Sequence, residues 1–212
     1  MRYTPHYMLT DVAEVKRVIR ENPWATFVSN TAKGLVASHY PIILDEAASD
    51  GDDIVIVSHF GRPDERSHEL GQHEVLVIVQ GPHDYVSPTL YDEGDIVPTW
   101  DHITAHLWGT PELLSDEENY QMLVKLVDYF EADRPGGHSI LEDEAATRQD
   151  ATGTVGLRMV VSRFDARAKL SQDKAETVRA RITDHFDTHN PRLGRELRHQ
   201  SQRESEREQR PE

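Results

Sequence analysis

Six runs of alternating or β-branched residues, unevenly interrupted by helical segments, most constrain what this chain can fold into. ATFVSN (25–30) and GLVASHYPIIL (34–44) flank a short polar turn and predict a hairpin. DIVIVSH (53–59) follows an acidic, glycine-containing turn, and EVLVIVQG (74–81) is an almost continuous β-branched and aliphatic run. HITAHLWGTPELL (102–114) and TVGLRMVVSRFDAR (154–167) complete the set. Asp11 with Glu14, and Ser115 with Glu118, have the spacing of capping boxes. The first opens a helix with Val12, Val15, Val18 and Ile19 on one face. The second runs to about Ala132, with Tyr120, Leu123, Val124, Val127 and Phe130 at helical spacing. A short helix is expected near Pro63, and another from about Lys174 with Ala175, Val178, Ile182 and Phe186 inward. Residues 133–154 have little periodicity and predict a loop or a marginal helix. Strands and helices do not alternate regularly, which argues against a doubly wound parallel sheet. The expectation is a mainly β (α+β) fold, an antiparallel barrel with peripheral helices.

Charge narrows the function classes. The 212 residues hold 38 acidic against 23 basic side chains, a formal net charge of -15. Such a surface repels the phosphate backbone that supplies most non-specific nucleic-acid affinity, and it disfavours anionic lipid. No cysteine is present, which excludes disulfides, thiolate nucleophiles and cysteine-ligated metals. No apolar run approaches the ~20 residues of a membrane span, and the N-terminus lacks the apolar block of a secretory signal. The expected location, with which the lack of cysteine is compatible, is the cytoplasm. From Asn190 the chain is almost wholly polar and charged, which predicts a frayed helix or disordered tail. The expected division is therefore a domain over 1–187 and a tail over 188–212.

Chemistry concentrates in Gln80–Gly109, which holds two of the three tryptophans, three histidines and three prolines. This density of aromatic, hydroxyl and imidazole groups suggests the wall of a ligand site. Twelve histidines invite a metal, but His102 and His106 lie on a predicted strand, where four residues span ~13 Å, too far for two ligands of one ion. No metal site is assigned. The G-x-S-x-G elbow, the Walker loop and G-x-G-x-x-G are all lacking. Ser58-His59 at a strand end, then Arg62 in a turn entering a helix, could hold a phosphate; equally, Arg62 pairs with Asp64 or Glu65 on the surface. Lys169, Ser171 and Gln172 offer a cation, a hydroxyl and an amide to the polar edge of a planar ring; alternatively, Ser171 belongs with Asp173 to a helix cap. Trp100, after the rigid Pro98-Thr99, either stacks on a ring or plugs a barrel end.

Several longer stretches carry a family resemblance. They are Tyr3-Thr4-Pro5-His6-Tyr7, Ser38-His39-Tyr40-Pro41, Gln80-Gly81-Pro82-His83-Asp84-Tyr85-Val86-Ser87-Pro88, Val97-Pro98-Thr99-Trp100 and Lys169-Leu170-Ser171-Gln172. In this order they resemble the PaiB-like family of FMN-binding negative transcriptional regulators, over about residues 1–187. The resemblance implies a six-stranded antiparallel split β-barrel of the FMN-binding type, similar to pyridoxamine-phosphate oxidases. It also implies a homodimer with FMN near the subunit interface. Phosphate ligands in that fold fall in the segment matching 57–66, which supports Ser58, His59, Arg62 and Arg66. The remaining cofactor candidates are Thr99, Trp100, Lys169, Ser171 and Gln172. Two departures flank them: FGRPDERSHEL replaces the family's Asn-Pro and tryptophan turn, and Asp173 replaces the asparagine that ends KLSQN. The implied role is flavin-linked regulation through a protein partner or metabolite rather than direct DNA contact, since no helix-turn-helix is evident. The alternatives are a flavin-dependent oxidoreductase, with His83, His102 or His106 as proton donor and Lys169 stabilising reduced flavin, or a barrel holding haem by one histidine.

Overall fold

The computed structural model describes residues 4–208; Tyr3 of the first motif and residues 209–212 lie outside the described residues. Two compact units emerge, a larger one of residues 10–80 and 105–165 and a smaller one of residues 4–9, 81–104 and 166–208. The strands are β1 (Trp24–Thr31), β2 (Gly34–Leu44), β3 (Val55–Gly61), β4 (Val75–Val86), β5 (Thr99–Gly109), β6 (Glu112–Leu113), β7 (Thr154–Val160) and β8 (Arg163–Lys169). Their hydrogen-bonding order is β6-β7-β3-β2-β1-β4-β5-β8. The helices are α1 (Val12–Glu21), α2 (Asp64–Ser67), α3 (Asp116–Glu131), α4 (Glu144–Ala151), α5 (Glu176–His189) and α6 (Pro191–Glu208).

In the larger unit the hairpin forms in the expected place, from Trp24 opposite Pro41 to Thr31 opposite Gly34. The β1–β2, β1–β4, β2–β3, β3–β7 and β6–β7 pairs are all antiparallel. Alternation along β1 buries Ala25, Phe27 and Ser29, and the paired β4 residues Val79, Val77 and Val75 face the same way. The Asp11 carboxylate caps α1 by accepting from the Ala13 N–H at 3.0 Å, and α1 buries Val15, Val18 and Ile19. At α3 the capping box closes, with Ser115 N–H donating to Glu118 at 2.9 Å. Met122 and Leu126 of α3 then pack on Ile43 and Val57. Burying side chains of this size contributes about 1.5–3 kcal/mol each.

The mainly β (α+β) class is as expected, but among the described residues the strand number is corrected from six to eight. Two predicted strands each break in two. The run 102–114 breaks at Thr110-Pro111, where proline supplies no backbone donor. Just before the break a side chain on Gly109 would overlap the Val160 carbonyl. The run 154–167 breaks at Val161-Ser162, where the buried apolar side chains change parity, from Val155, Leu157 and Met159 to Ala166, Ala168 and Leu170, with Arg167 buried as well. One extended strand cannot keep both sets on one face.

Residues 133–154 contain α4, which packs Ala151 against Tyr120 and Val124 of α3. Arg148 lies 3.9 Å over the Tyr120 ring and pairs with Glu117 at 2.7 Å. In the smaller unit the charged run beyond Asn190 is helical as far as Glu208, so the helix alternative is the one adopted there. Leu193 and Leu197 are buried, and Arg198 and Arg179 pair with Asp187 and Glu204 between α5 and α6.

Candidate functional site

In the smaller unit the start of β5 and the turn after β8 are tied together residue by residue. The Lys169 ammonium donates to the Thr99 hydroxyl and, at 3.1 Å, to the Trp100 carbonyl. One step along, the Asp101 carboxylate accepts the Ser171 N–H at 3.1 Å and the Ser171 O–H at 2.7 Å. Ser171 has φ +55°, a left-handed conformation that residues bearing a Cβ seldom adopt. The Gln172 amide closes the same turn from within, accepting the Leu170 N–H and donating to the Ala168 carbonyl, both at 2.6 Å. Ser171 and Gln172 therefore build the turn. Helix α5 starts later, at Glu176, so Ser171 is not its cap.

Trp100 is 56% exposed, which removes the core-plug alternative. Its ring lies 6.1 Å from that of Tyr85, edge to face, and 6.4 Å from that of His83. The Lys169 ammonium is also 5.7 Å from the centre of the Tyr7 ring. Burial, reinforced by Asp173, pushes the Tyr7 phenol up to about 12. Burial pushes the Asp101 carboxyl up to about 6, against the Ser171 hydrogen bonds and Lys169, which pull it down. His102 is held below its ordinary value by burial and by Lys169, so its ring is neutral at pH 7. The loop leading to Thr99 is fixed by α5 and the residues before it. Lys174 pairs with Asp95 at 2.6 Å, and Arg181 donates to the Leu90 carbonyl at 3.0 Å. The result is an exposed aromatic face beside an immobilised cation.

The larger unit holds the other predicted set. Ser58 is fully buried, and its hydroxyl donates to the Pro41 carbonyl at 2.7 Å, so that proton is already used. His59 is partly buried, its Nδ1 has no hydrogen-bond partner, and burial lowers its pKa. Arg62 donates from Nε to the Thr154 carbonyl at 3.1 Å and pairs with Glu65 at 3.4 Å. Arg66, with its side chain 77% exposed, approaches the same Glu65 at 3.5 Å. The surface-pair alternative for Arg62 thus holds in part, except that Glu65 is buried. Two guanidinium groups flank one turn, an arrangement suited to a phosphate.

Sequence reasoning missed three polar groups. Asp101 is one, and Tyr7 appeared only as part of a motif. The third is His68, fully buried between the Ser29 and Ser38 hydroxyls at 2.8 and 2.9 Å and beside the Phe60 ring. An aspartate between a tryptophan and a histidine on a strand whose other inward residues are apolar was the signal for Asp101. Among the described residues no group of three or more His, Cys, Asp and Glu side chains could hold a metal ion.

Comparison with known proteins places this geometry in context. The chain matches the family model described as "Putative FMN-binding domain" over residues 1–163. That span includes Ser58, His59, Arg62, Arg66, Thr99 and Trp100, and stops short of Lys169, Ser171 and Gln172. The Bacillus subtilis (strain 168) "Protease synthase and sporulation protein PAI 2" is 30% identical over 181 residues, 82% of this chain and 84% of that protein. Among solved structures, the FAD and heme binding protein from Mycobacterium smegmatis is similar with a TM-score of 0.59 and 19% identity, covering 82% of this chain and 79% of that one. The flavocytochrome Anf3 from Azotobacter vinelandii is similar with a TM-score of 0.59 and 13% identity, covering 85% and 78%. At these identities the likeness is one of fold.

Proposed function

The chain belongs to the PaiB-like family of FMN-binding proteins, and on that premise we propose that it is a split-barrel flavoprotein that binds FMN. The observation that carries this reading is the exposed Trp100 face beside the fixed Lys169 ammonium. An anionic, aromatic ligand matches both: the indole offers a stacking surface, and the ammonium offers charge to an electron-rich ring. The larger unit, taken by itself, offers Arg62 and Arg66 to a phosphate, as paired guanidinium groups do. Thr99 would orient the lysine, and Ser171 and Gln172 would shape the turn that carries it. Ser58 supports its strand rather than a ligand, since its proton goes to Pro41. When bound, FMN supplies electron and hydride transfer, which no side chain here performs.

Regulation by this protein would run through a partner or a metabolite in the cytoplasm. The net charge opposes DNA, and one arginine of the tail, Arg198, is already paired with Asp187 inside the unit. A gel shift showing tight, sequence-specific DNA binding would overturn this route. The proposed assembly is a homodimer through the outward face of β2, β1 and β4. There Leu35 and Trp24 are 79% and 63% exposed, and Val28, Leu76 and Ile78 are half-buried on the same side. A sheet face with these apolar residues set among Thr26, Asn30 and His39 suits a second copy of the chain.

Calorimetric titration with FMN tests the cofactor reading. Wild type is expected to bind with one site per chain, and Lys169→Met to bind about tenfold more weakly, the loss of one charge-assisted contact. Absence of any binding heat across a range of temperatures, with no retention of FMN on dialysis, would refute it.

A further inference from the structure

A buried carboxylate directly after Trp100 is not needed to build β5. The other inward residues of that strand, Ile103, Ala105, Leu107 and Gly109, are apolar or lack a side chain, and each is buried. An acid in this row gives up hydration that only specific partners can replace. Asp101 has such partners in a single residue, since Ser171 donates its N–H to one oxygen and its O–H to the other. Ser171 in turn occupies a left-handed conformation, and such a conformation persists where the surroundings fix it. Gln172 closes the turn locally, through Leu170 and Ala168. Asp101 fastens the closed turn to the strand. Two residues before Ser171, Lys169 reaches Thr99 and the Trp100 carbonyl on the same strand.

We infer that Asp101 is a positioning residue: it clamps the Lys169–Gln172 turn onto the start of β5 and so fixes the Lys169 ammonium beside Trp100. The inference rests on the FMN-binding reading for its consequence, though not for the clamp itself. The geometry, not the charge, does the fixing. A carboxyl that took up a proton could still accept the Ser171 N–H on one oxygen and donate from the other to the Ser171 hydroxyl. Asparagine can do the same, with its carbonyl accepting and its amide donating. Alanine can do neither. The charged and titratable groups that face Asp101 are Lys169 and Asp173 on the β8 side, Tyr7 from the N-terminal segment and Tyr91 from the loop before β5.

The test compares Asp101→Ala, Asp101→Asn and Ser171→Ala, with two readouts. The first is amide exchange at Leu170 and Ser171 in the FMN-free protein, followed by NMR. The second is FMN affinity, followed by quenching of flavin fluorescence. Asp101→Ala is expected to speed exchange at Ser171 and weaken FMN binding, each by about tenfold or more, as loss of two hydrogen bonds implies. Asp101→Asn is expected to restore both to within about threefold of wild type, and Ser171→Ala, which keeps the carboxylate and loses one bond, to fall between. The inference is overturned if folded Asp101→Ala exchanges and binds like wild type. It is also overturned if Asp101→Asn is as weak as alanine, because the charge rather than the position would then be acting. Should the alanine variant not fold, Ser171→Ala with wild-type exchange and affinity overturns it equally. Wild type that fails to bind FMN, with exchange still accelerated in Asp101→Ala, would leave the clamp standing and remove the cofactor reading.

Discussion

Asp101 shows how one residue can carry a cost in stability and a task in the site together. Its carboxyl is pushed up to about 6 by burial, above the ordinary value of 3.8. A group with a raised folded-state pKa binds its proton more readily folded than unfolded. Its contribution to stability is therefore fully present below about pH 4 and is lost as pH rises through about 6. The size of the change is on the order of 2–3 kcal/mol. Thermal unfolding measured from pH 4 to pH 7 should show wild type losing stability relative to Asp101→Asn, whose profile lacks this component. Parallel profiles for the two proteins would contradict the assignment. Legibility in the sequence was uneven at this scale. Trp100 and Lys169 stood out as candidates because residue type alone suggests stacking and charge. The partner of the Ser58 hydroxyl did not, since it meets Pro41 only through the register that sets Ile42 opposite Ser58. The partner of a side chain on a strand is decided by pairing, and pairing is non-local.

Among the elements, the helices with caps were the most legible. Asp11 and Ser115 satisfy N-terminal donors of α1 and α3 within three residues, so their signal is local. The two strand breaks were written less plainly. Pro111 marked the first, and the shift from odd to even buried positions between Met159 and Ala166 marked the second. Helix α6 was hidden by its composition. Leu193 and Leu197, four residues apart, are too sparse an apolar stripe to announce a packed helix amid so many charges, yet both are buried. The structure makes them the anchor of α6, so Leu197→Ala should destabilise by about 2–4 kcal/mol. Chemical denaturation checks this, with hydrogen exchange mapping the loss to α6. A change below about 0.5 kcal/mol, the range of ordinary surface substitutions, would mean that α6 contributes little.

For the whole molecule, the mainly β class was legible from strand runs without regular alternation, and the family from long motifs in order. Strand number was not, because breaks depend on neighbours the chain reaches only after folding. The outward face of β2, β1 and β4 was equally silent. It emerges only once the register sets Val28 opposite Ala37 and Leu76. If that face joins two copies, sedimentation velocity should find a dimer for wild type and a monomer for Val28→Asp, since an unpaired charge in an apolar interface is strongly unfavourable. A monomeric wild type at micromolar concentration would remove the proposed assembly.

The visible absorption spectrum of the purified protein, before and after addition of FMN and removal of the excess, tests the central claim most directly. The account predicts a flavin spectrum that stays with the protein, with resolved vibrational shoulders and quenched emission from a ring held against Trp100. A haem-type Soret band in its place, or a protein that remains colourless and releases all added FMN, would contradict it.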